Sequence, residues 1–372
     1  MKILHFYRTY YPDSFGGVEQ VIRQMVTGSA RLGIQAEVLT LTREKHELEL
    51  EFEGHAVHRV PLNIEIASTG FSWSAFSRLK QLAKTADVIH YHFPWPFMDI
   101  AHFACQIKKP SVVTYHSDIV RQKHLFKLYQ PLQNQFLNSV DKIVATSPNY
   151  LATSATLARY REKTEVITYG LDAAIYPTPS RNLLDQWQAR FPAPFFLFVG
   201  MLRYYKGLHV LLEAVAGTQI PVVILGDGPV EAELKRQAQS LGLQNVHFLG
   251  ALPEEDKVAL MQLCYGLAFP SHLRSEAFGI TLLEAAMFGK PMISCEIGTG
   301  TSYVNVHQQT GLVVPASDPQ AFRQAMQYLL ENPAQAQQMG KQAAQRYAEC
   351  FTAERMARSY QTLYQQLLTK RA

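Results

Sequence analysis

LAFPSHLRSEAFGITLLEAAMFGKP, residues 267–291, reads as a strand, a loop, a turn and a helix in that order. The apolar run LAFPS ends at Ser271. Ile280 to Met287 is good helix sequence, and Phe288-Gly289-Lys290-Pro291 stops it. Gly279 marks the turn into the helix. Two acids, Glu276 and Glu284, bracket that turn with seven residues between them. On one straight helix the eight steps would turn through about 800°, roughly 80° out of register, so the acids would not share a face. With the turn at Gly279, Glu276 sits on the loop after the strand and Glu284 about one turn inside the helix. Both acids can then reach one pocket, where carboxylates hydrogen-bond to sugar hydroxyls. The plain alternative is two solvent-facing acids.

The same strand-then-helix unit recurs along the whole chain. KILHFY, AEVLTL, DVIHYH, SVVTYH, KIVAT and EVITY come first; FFLFVG, PVVILG, VHFLG, GLAFPS and PMISCE follow. Short runs that are apolar throughout suit parallel strands covered on both faces. Helical patterns separate them, as at Val18 to Leu32, Leu208 to Ala216 and Glu231 to Leu241. Alternation of this kind predicts doubly wound α/β domains. A turn-rich seam near Leu171–Pro194 divides the chain, with about six strands expected on each side and RNLLDQWQARF as a helix within the seam. A last helix is expected from Thr352 to Leu368, with Thr352 as cap and Glu354 suiting the helix dipole.

Composition bounds the function. The 372 residues fit two domains, and 47% apolar with 18% charged residues fits buried cores. No apolar run approaches the roughly 18 residues of a spanning helix. His5 and Arg8 interrupt the first apolar stretch too early for a signal peptide. Four scattered cysteines show no zinc spacing and fit reduced thiols in a cytoplasmic protein. A net charge of +4 is too weak to argue for nucleic acid, and leaves room for anionic small molecules or an anionic membrane surface.

Ligands of open parallel sheets bind beyond the C-terminal strand ends, and two such edges facing each other would form a cleft. VGMLRYYKG, residues 199–207, follows a strand and sets Arg203 and Lys206 between Gly200 and Gly207. Two cations on a glycine-flanked loop suit a diphosphate without a metal, although a solvated basic turn would look the same. Gly16 and Gly17 in DSFGGVEQVI precede a helix whose amides can meet a phosphate; an ordinary tight turn is the alternative. LGDGP (225–229) is a weak glycine signal of the same kind. IGTGTSYV (297–304) could form an anion nest or a plain loop. His90 and His92 share a strand face, and His116 ends the next strand; zinc would need ligands that no cysteine or close acid supplies. No DxD is present, which argues against an acid-bridged metal–diphosphate site.

In this order the pieces resemble the retaining glycosyltransferases of family 4, which have the GT-B fold. FGGVE, TYHSD, GMLRYYKG, LGDGP, the Glu–seven–Glu block, TGLVVP and the helix starting at FTAER carry the resemblance over nearly the whole chain. It implies two Rossmann-like domains facing across a cleft. Residues 1–172 with 353–372 would bind the acceptor and residues 173–352 the nucleotide sugar, with the last helix crossing back to the first domain. It further implies Lys206 as the diphosphate-binding lysine, Glu276 on the sugar C3 and C4 hydroxyls, and Glu284 on the ribose. Gly16 and Gly17 would lie near the phosphates, with Gly200, Phe278, Gly279 and Ile280 on the nucleotide sugar. His116 would stand beside the sugar's reacting face. The family usually has Gly-Arg-Leu where this chain has Gly200-Met201-Leu202, and Arg203 is the candidate replacement.

The runs LHFYRTYYPDSFGGVEQVI and LRYYKGLHVLLEA look closest to bacterial mannosyl- and rhamnosyltransferases of O-polysaccharide assembly, which use GDP-mannose or GDP-D-rhamnose. The implied donor is GDP-mannose, with no other cofactor and no metal. A UDP-sugar donor stays open. The acceptor would be a glycan or lipid-linked glycan, placing the protein in the cytoplasm, with peripheral attachment to the membrane's inner face as an added expectation. Residues 119–140 set Leu125, Leu128, Leu132 and Phe136 at helical spacing among Arg121, Lys123, His124 and Lys127, with Pro131 kinking or dividing the segment. A helix packed on its own sheet fits those residues equally well. An epimerase, a glycoside phosphorylase and a non-catalytic nucleotide-sugar-binding subunit are the rival readings. A NAD-dependent oxidoreductase is disfavoured by the missing fingerprint.

Overall fold

Every apolar run expected to be a strand is one, and its neighbours pair with it in parallel. The structure is a computed structural model that describes residues 1–66, 69–119 and 123–371. The chain folds as two units, residues 1–170 with 352–372 and residues 171–351.

The first unit carries β1 (Lys2–Phe6), β2 (Gln35–Thr42), β3 (Leu48–Phe52), β4 (His55–Pro61), β5 (Ile64–Ile66), β6 (Thr69–Phe71), β7 (Val88–Phe93), β8 (Ser111–Tyr115), β9 (Lys142–Ala145) and β10 (Thr164–Val166). Eight of them form one sheet in the order β10-β9-β8-β7-β1-β2-β4-β3, and β5 and β6 pair as a hairpin. That exceeds the six or so strands expected. The extra ones escaped because they are not continuous apolar runs. LELEF alternates acid with leucine, is mostly exposed and lies at the sheet edge, antiparallel to β4. Antiparallel edges can face water on one side, so they need no apolar run.

The second unit carries β11 (Phe196–Val199), β12 (Val222–Leu225), β13 (Val246–Gly250), β14 (Gly266–Phe269), β15 (Met292–Glu296) and β16 (Gly311–Pro315). Its sheet is parallel throughout, in the order β13-β12-β11-β14-β15-β16. The chain moves outward from β11, then restarts on the other side at β14. The loops after β11 and β14 therefore diverge at a topological switch point, where open α/β sheets bind ligands. In the first unit the corresponding switch lies between β1 and β7.

The last helix, Ala353–Arg371, belongs to the first unit and packs on the helix Gly17–Ala30. The approach is close: a Cβ on Gly28 would lie 3.1 Å from the Ala357 Cβ. Thr352 caps the helix as expected, accepting from the Arg355 amide at 3.3 Å. The helix Lys123–Ser139 runs through Pro131 rather than dividing there. Phe136 and Leu137 are buried in its second half, and Tyr129 in its first half bonds to the buried Asp99. Packing of both halves outweighs the lost backbone hydrogen bond. The expected apolar seam splits: Phe136 is fully buried and Leu128 is 82% exposed. Arg121 and the side chains of Lys123, His124 and Leu125 lie outside the described residues.

Candidate functional site

Two glutamates of the second unit are buried, and each is held by its own lysine. The loop after β11 passes Gly200 and Arg203, makes a short helical turn at Tyr204–Lys206 and ends at Gly207. Gly207 is left-handed, with φ +68°, and a Cβ there would lie 2.0 Å from the Pro270 carbonyl oxygen. Only glycine lets this loop press against the one that follows β14. The result is an ion pair: Lys206 Nζ donates to Glu276 Oε2 at 2.5 Å, and Ser271 Oγ donates to the same oxygen at 3.1 Å. The side chains are only 12% and 11% exposed. Burial disfavours the Lys206 charge, but Glu276 and Tyr205 more than offset it, and its pKa rises. The ammonium also lies 5.2 Å from the centre of the Phe269 ring. Lys206 is thus a fixed, permanent cation.

Gly279 enters the helix Ile280–Met287 with φ +88°, the turn that its sequence predicted. Glu284, buried inside that helix, accepts from Lys257 Nζ at 2.7 Å and from Tyr176 OH at 3.0 Å. Lys257 also pairs with Glu254, and these acids raise its pKa against the cost of burial. Thr281 Oγ1 donates to the Val199 carbonyl at 3.3 Å, tying the helix start to the end of β11. Phe278 is buried, and Ile280 is half-buried.

The weaker glycine motifs brace these loops. Leu202 N donates to the Asp227 carbonyl of LGDGP at 2.6 Å, and Val230 N donates to the Leu202 carbonyl at 3.3 Å. The Gly300 amide of IGTGTSYV, expected as an anion donor, is spent on the Ala277 carbonyl at 2.8 Å. Through that amide the loop braces residue 277. Arg203 is exposed, and its Nε donates to Met201 Sδ at 2.9 Å. Its guanidinium therefore lies against the side chain at the position where the usual arginine is missing.

In the first unit, Gly16 caps the helix Gly17–Ala30. The space beside it is taken by Glu19, whose Oε2 would lie 2.3 Å from a Cβ on Gly16. Glu19 is buried and accepts from Ser14 Oγ at 2.7 Å. An acid three residues after the cap suits the helix dipole. The helix start expected to meet a phosphate thus already carries a carboxylate.

The histidines form a network. β1 and β7 align His5 with His90, and His92 follows two residues on. His90 and His92 share a face as expected, their rings stacked 4.6 Å apart. His5 Nδ1 lies 3.0 Å from His92 Nε2, and His92 Nδ1 lies 2.9 Å from His116 Nε2. His116 Nδ1 bonds to Tyr169 OH. His90 bonds to Tyr364 OH at 2.6 Å and Thr114 Oγ1 at 2.7 Å. Burial pushes His116 and His5 down to about 3, His55 adding to the effect on His5. His90 and His92 are also lowered by burial and by their histidine neighbours. Nitrogens of His5, His90 and His92 lie within 4.8 Å of one another. Yet that group contains no carboxylate, and both His90 nitrogens already have partners.

The candidate residues therefore divide between the units: Gly16, Gly17 and His116 in the first, and Gly200, Arg203, Lys206, Glu276, Phe278, Gly279, Ile280 and Glu284 in the second. Sequence reading missed Lys257, Tyr176, Glu19, His5 and Tyr169, and it marked Ser271 only as a strand end. Only His5 left a signal, as a third histidine in a run expected to be a strand.

The Glycosyltransferase Family 4 model matches residues 15–175, and the Glycosyl transferases group 1 model matches residues 181–346. D-rhamnosyltransferase WbpZ of Pseudomonas aeruginosa is 60% identical over 353 residues, 95% of this chain and 93% of that protein. O-antigen chain mannosyltransferase C of Escherichia coli is 51% identical over 372 residues, all of both chains. Sucrose-phosphate synthase from Thermosynechococcus elongatus has a TM-score of 0.79 at 21% identity, covering 99% of each chain. Anabaena HepE in complex with UDP and glucose has a TM-score of 0.78 at 20% identity, covering 98% of this chain and 100% of that one. The fold shared with these structures is GT-B.

Proposed function

The chain belongs to family 4 of the glycosyltransferases, and from that membership we propose that it moves mannose from GDP-mannose to a hydroxyl of a lipid-linked glycan, with retention and without a metal ion. The Escherichia coli relative, an O-antigen chain mannosyltransferase by name, supports the sugar and the setting. The observation that carries the mechanism is the buried Lys206–Glu276 pair at the switch point of the second sheet.

In this reading the acceptor hydroxyl attacks the sugar's C1 from the side of the leaving group. The bond from C1 to the phosphate oxygen breaks, and that oxygen takes the acceptor's proton. Products are the glycoside and GDP. The protein's work is positioning and stabilisation of charge. Lys206 and Arg203 stabilise the departing diphosphate, together with the backbone amides around Gly279. Glu276 accepts from the sugar's C3 and C4 hydroxyls. Glu284 accepts from the ribose, and Lys257 fixes its carboxylate.

One observation favours a second donor: the D-rhamnosyl relative is 60% identical, the mannosyl relative 51%. D-rhamnose is D-mannose without the C6 hydroxyl, so both sugars present the same C3 and C4 hydroxyls to Glu276. The test is transfer in EDTA with GDP-mannose and GDP-D-rhamnose as competing donors, with the product anomer read by NMR. An α-linked product from either GDP-sugar supports the mechanism, and the preferred donor decides the sugar. A β-linked product rules out retention, and dependence on added Mg²⁺ rules out the metal-free reading. The lipid-linked acceptor implies peripheral attachment to an anionic leaflet, which flotation with anionic vesicles tests.

A further inference from the structure

We propose that His5, His92 and Tyr169 are positioning residues that lock His116 in one orientation and couple its tautomer to theirs, leaving it neither a base nor a nucleophile. The proposal rests on the transferase reading, which would set His116 beside the sugar's reacting face.

The chain of contacts runs Tyr169 OH, His116 Nδ1, His116 Nε2, His92 Nδ1, His92 Nε2, His5 Nδ1. Each link joins the Nδ1 of one ring to the Nε2 of the next, so the chain has a direction. A neutral imidazole has one N–H and one lone pair. Only two arrangements keep every hydrogen bond. Either all three rings carry the proton on Nδ1 and His116 donates to Tyr169, or all carry it on Nε2 and Tyr169 donates to His116. The three tautomers are thus one variable. Any ring that flips alone leaves a buried polar group unpaired, which is costly.

The surroundings keep the chain neutral. His5, His92 and His116 are all buried. The groups that face them are His90 stacked on His92, Tyr7 near both His92 and His116, and Tyr360 and Tyr364 against His90. Thr114 bridges His90 to Tyr360 at 2.7 and 2.8 Å. His55 acts on His5 from a distance. None of these neighbours is a carboxylate that would stabilise an imidazolium.

The chemical consequence is restraint. An unengaged imidazole beside an electrophilic sugar carbon would compete with the acceptor as nucleophile. As a base it would take the acceptor's proton, which the departing phosphate oxygen is placed to receive. With both ring nitrogens committed, His116 does neither. It presents a rigid, uncharged edge.

Tyr169→Phe removes one hydroxyl and keeps the ring. The expected result is a fall in kcat of about tenfold, from a His116 ring no longer held in place, with nucleoside diphosphate affinity unchanged. His92→Asn and His92→Gln then separate positioning from packing. The asparagine amide overlays the Nδ1 of histidine and keeps the contact to His116. The glutamine amide overlays Nε2 and keeps only the contact to His5. Positioning predicts higher kcat for asparagine. Packing predicts higher kcat for glutamine, which leaves the smaller void. Parental kcat in Tyr169→Phe, or glutamine matching or exceeding asparagine, overturns the proposal. His116→Ala tests the underlying placement separately: parental kcat in that folded variant removes His116 from the site, and the proposal with it.

Discussion

Replacing Lys206 with alanine should damage stability and turnover by different amounts, and a double variant should separate them. The pair is 2.5 Å long with both side chains about nine-tenths buried. At an effective dielectric near 20 its Coulomb energy is about 7 kcal/mol before desolvation is subtracted. Removing the cation strands Glu276 in a buried site, which costs about 3–5 kcal/mol. For a unit of this size that lowers the melting temperature by roughly 10 °C. The turnover loss has a different source. A missing donor to the departing charge raises the barrier by about 3–4 kcal/mol, a hundredfold or more. Lys206→Met combined with Glu276→Gln removes both charges and keeps the shape. It should regain most of the lost stability and none of the lost turnover. Differential scanning calorimetry reads the first effect and initial rates with GDP-mannose the second. A folded Lys206→Ala protein with near-normal rates would refute the site. A double variant as unstable as the single one would refute the buried-pair argument.

Glu276→Ala should cut turnover at least about a hundredfold in a protein whose circular dichroism is unchanged, since the proposed function puts the carboxylate on the transferred sugar. Lys257→Met should weaken nucleoside diphosphate binding about tenfold by calorimetry, because Glu284 loses the cation that fixes it. Arg203→Ala should slow transfer, and adding Met201→Arg should restore it by returning a guanidinium to the usual position; absence of rescue would reject Arg203 as the replacement. Acid should unfold the protein through its histidines. Their folded pKa values are depressed, to about 3 for His5 and His116, so the unfolded chain binds more protons below its own value near 6.5. Their contribution is fully present above about pH 6.5 and falls away as pH drops toward 3. Melting temperature should therefore decline steadily across that window, and more shallowly in a His5→Asn variant that still folds.

The second unit was almost wholly legible in the sequence because parallel strands covered on both faces must be apolar throughout. The first unit was less so. β3 and β4 carry acids, histidines and an arginine, and no run of apolar residues marks them. The acidic pair was legible for a related reason: Gly279 must end one element and begin another. Its lysines differed. Lys206 announced itself between two glycines, whereas Lys257 lies in EEDKVAL, an ordinary helix start, and reaches Glu284 only through the packing of helices. Glu19 was hidden in the same way, since only the folded helix start shows a carboxylate lying over Gly16. The histidine chain depends on strand register, which pairs His5 with His90 and His92 with Thr114, so that the His116 ring meets His92 on the diagonal. Spacing along one strand gives the shared face of His90 and His92 but not the register across strands.

The most direct test of a metal-free GDP-sugar transferase is a calorimetric titration of the full chain with GDP, UDP and ADP, each in EDTA and again with Mg²⁺. Tight binding of GDP alone, with the same affinity in both buffers, is the predicted result. Preference for UDP, or GDP binding that appears only with Mg²⁺, would contradict it.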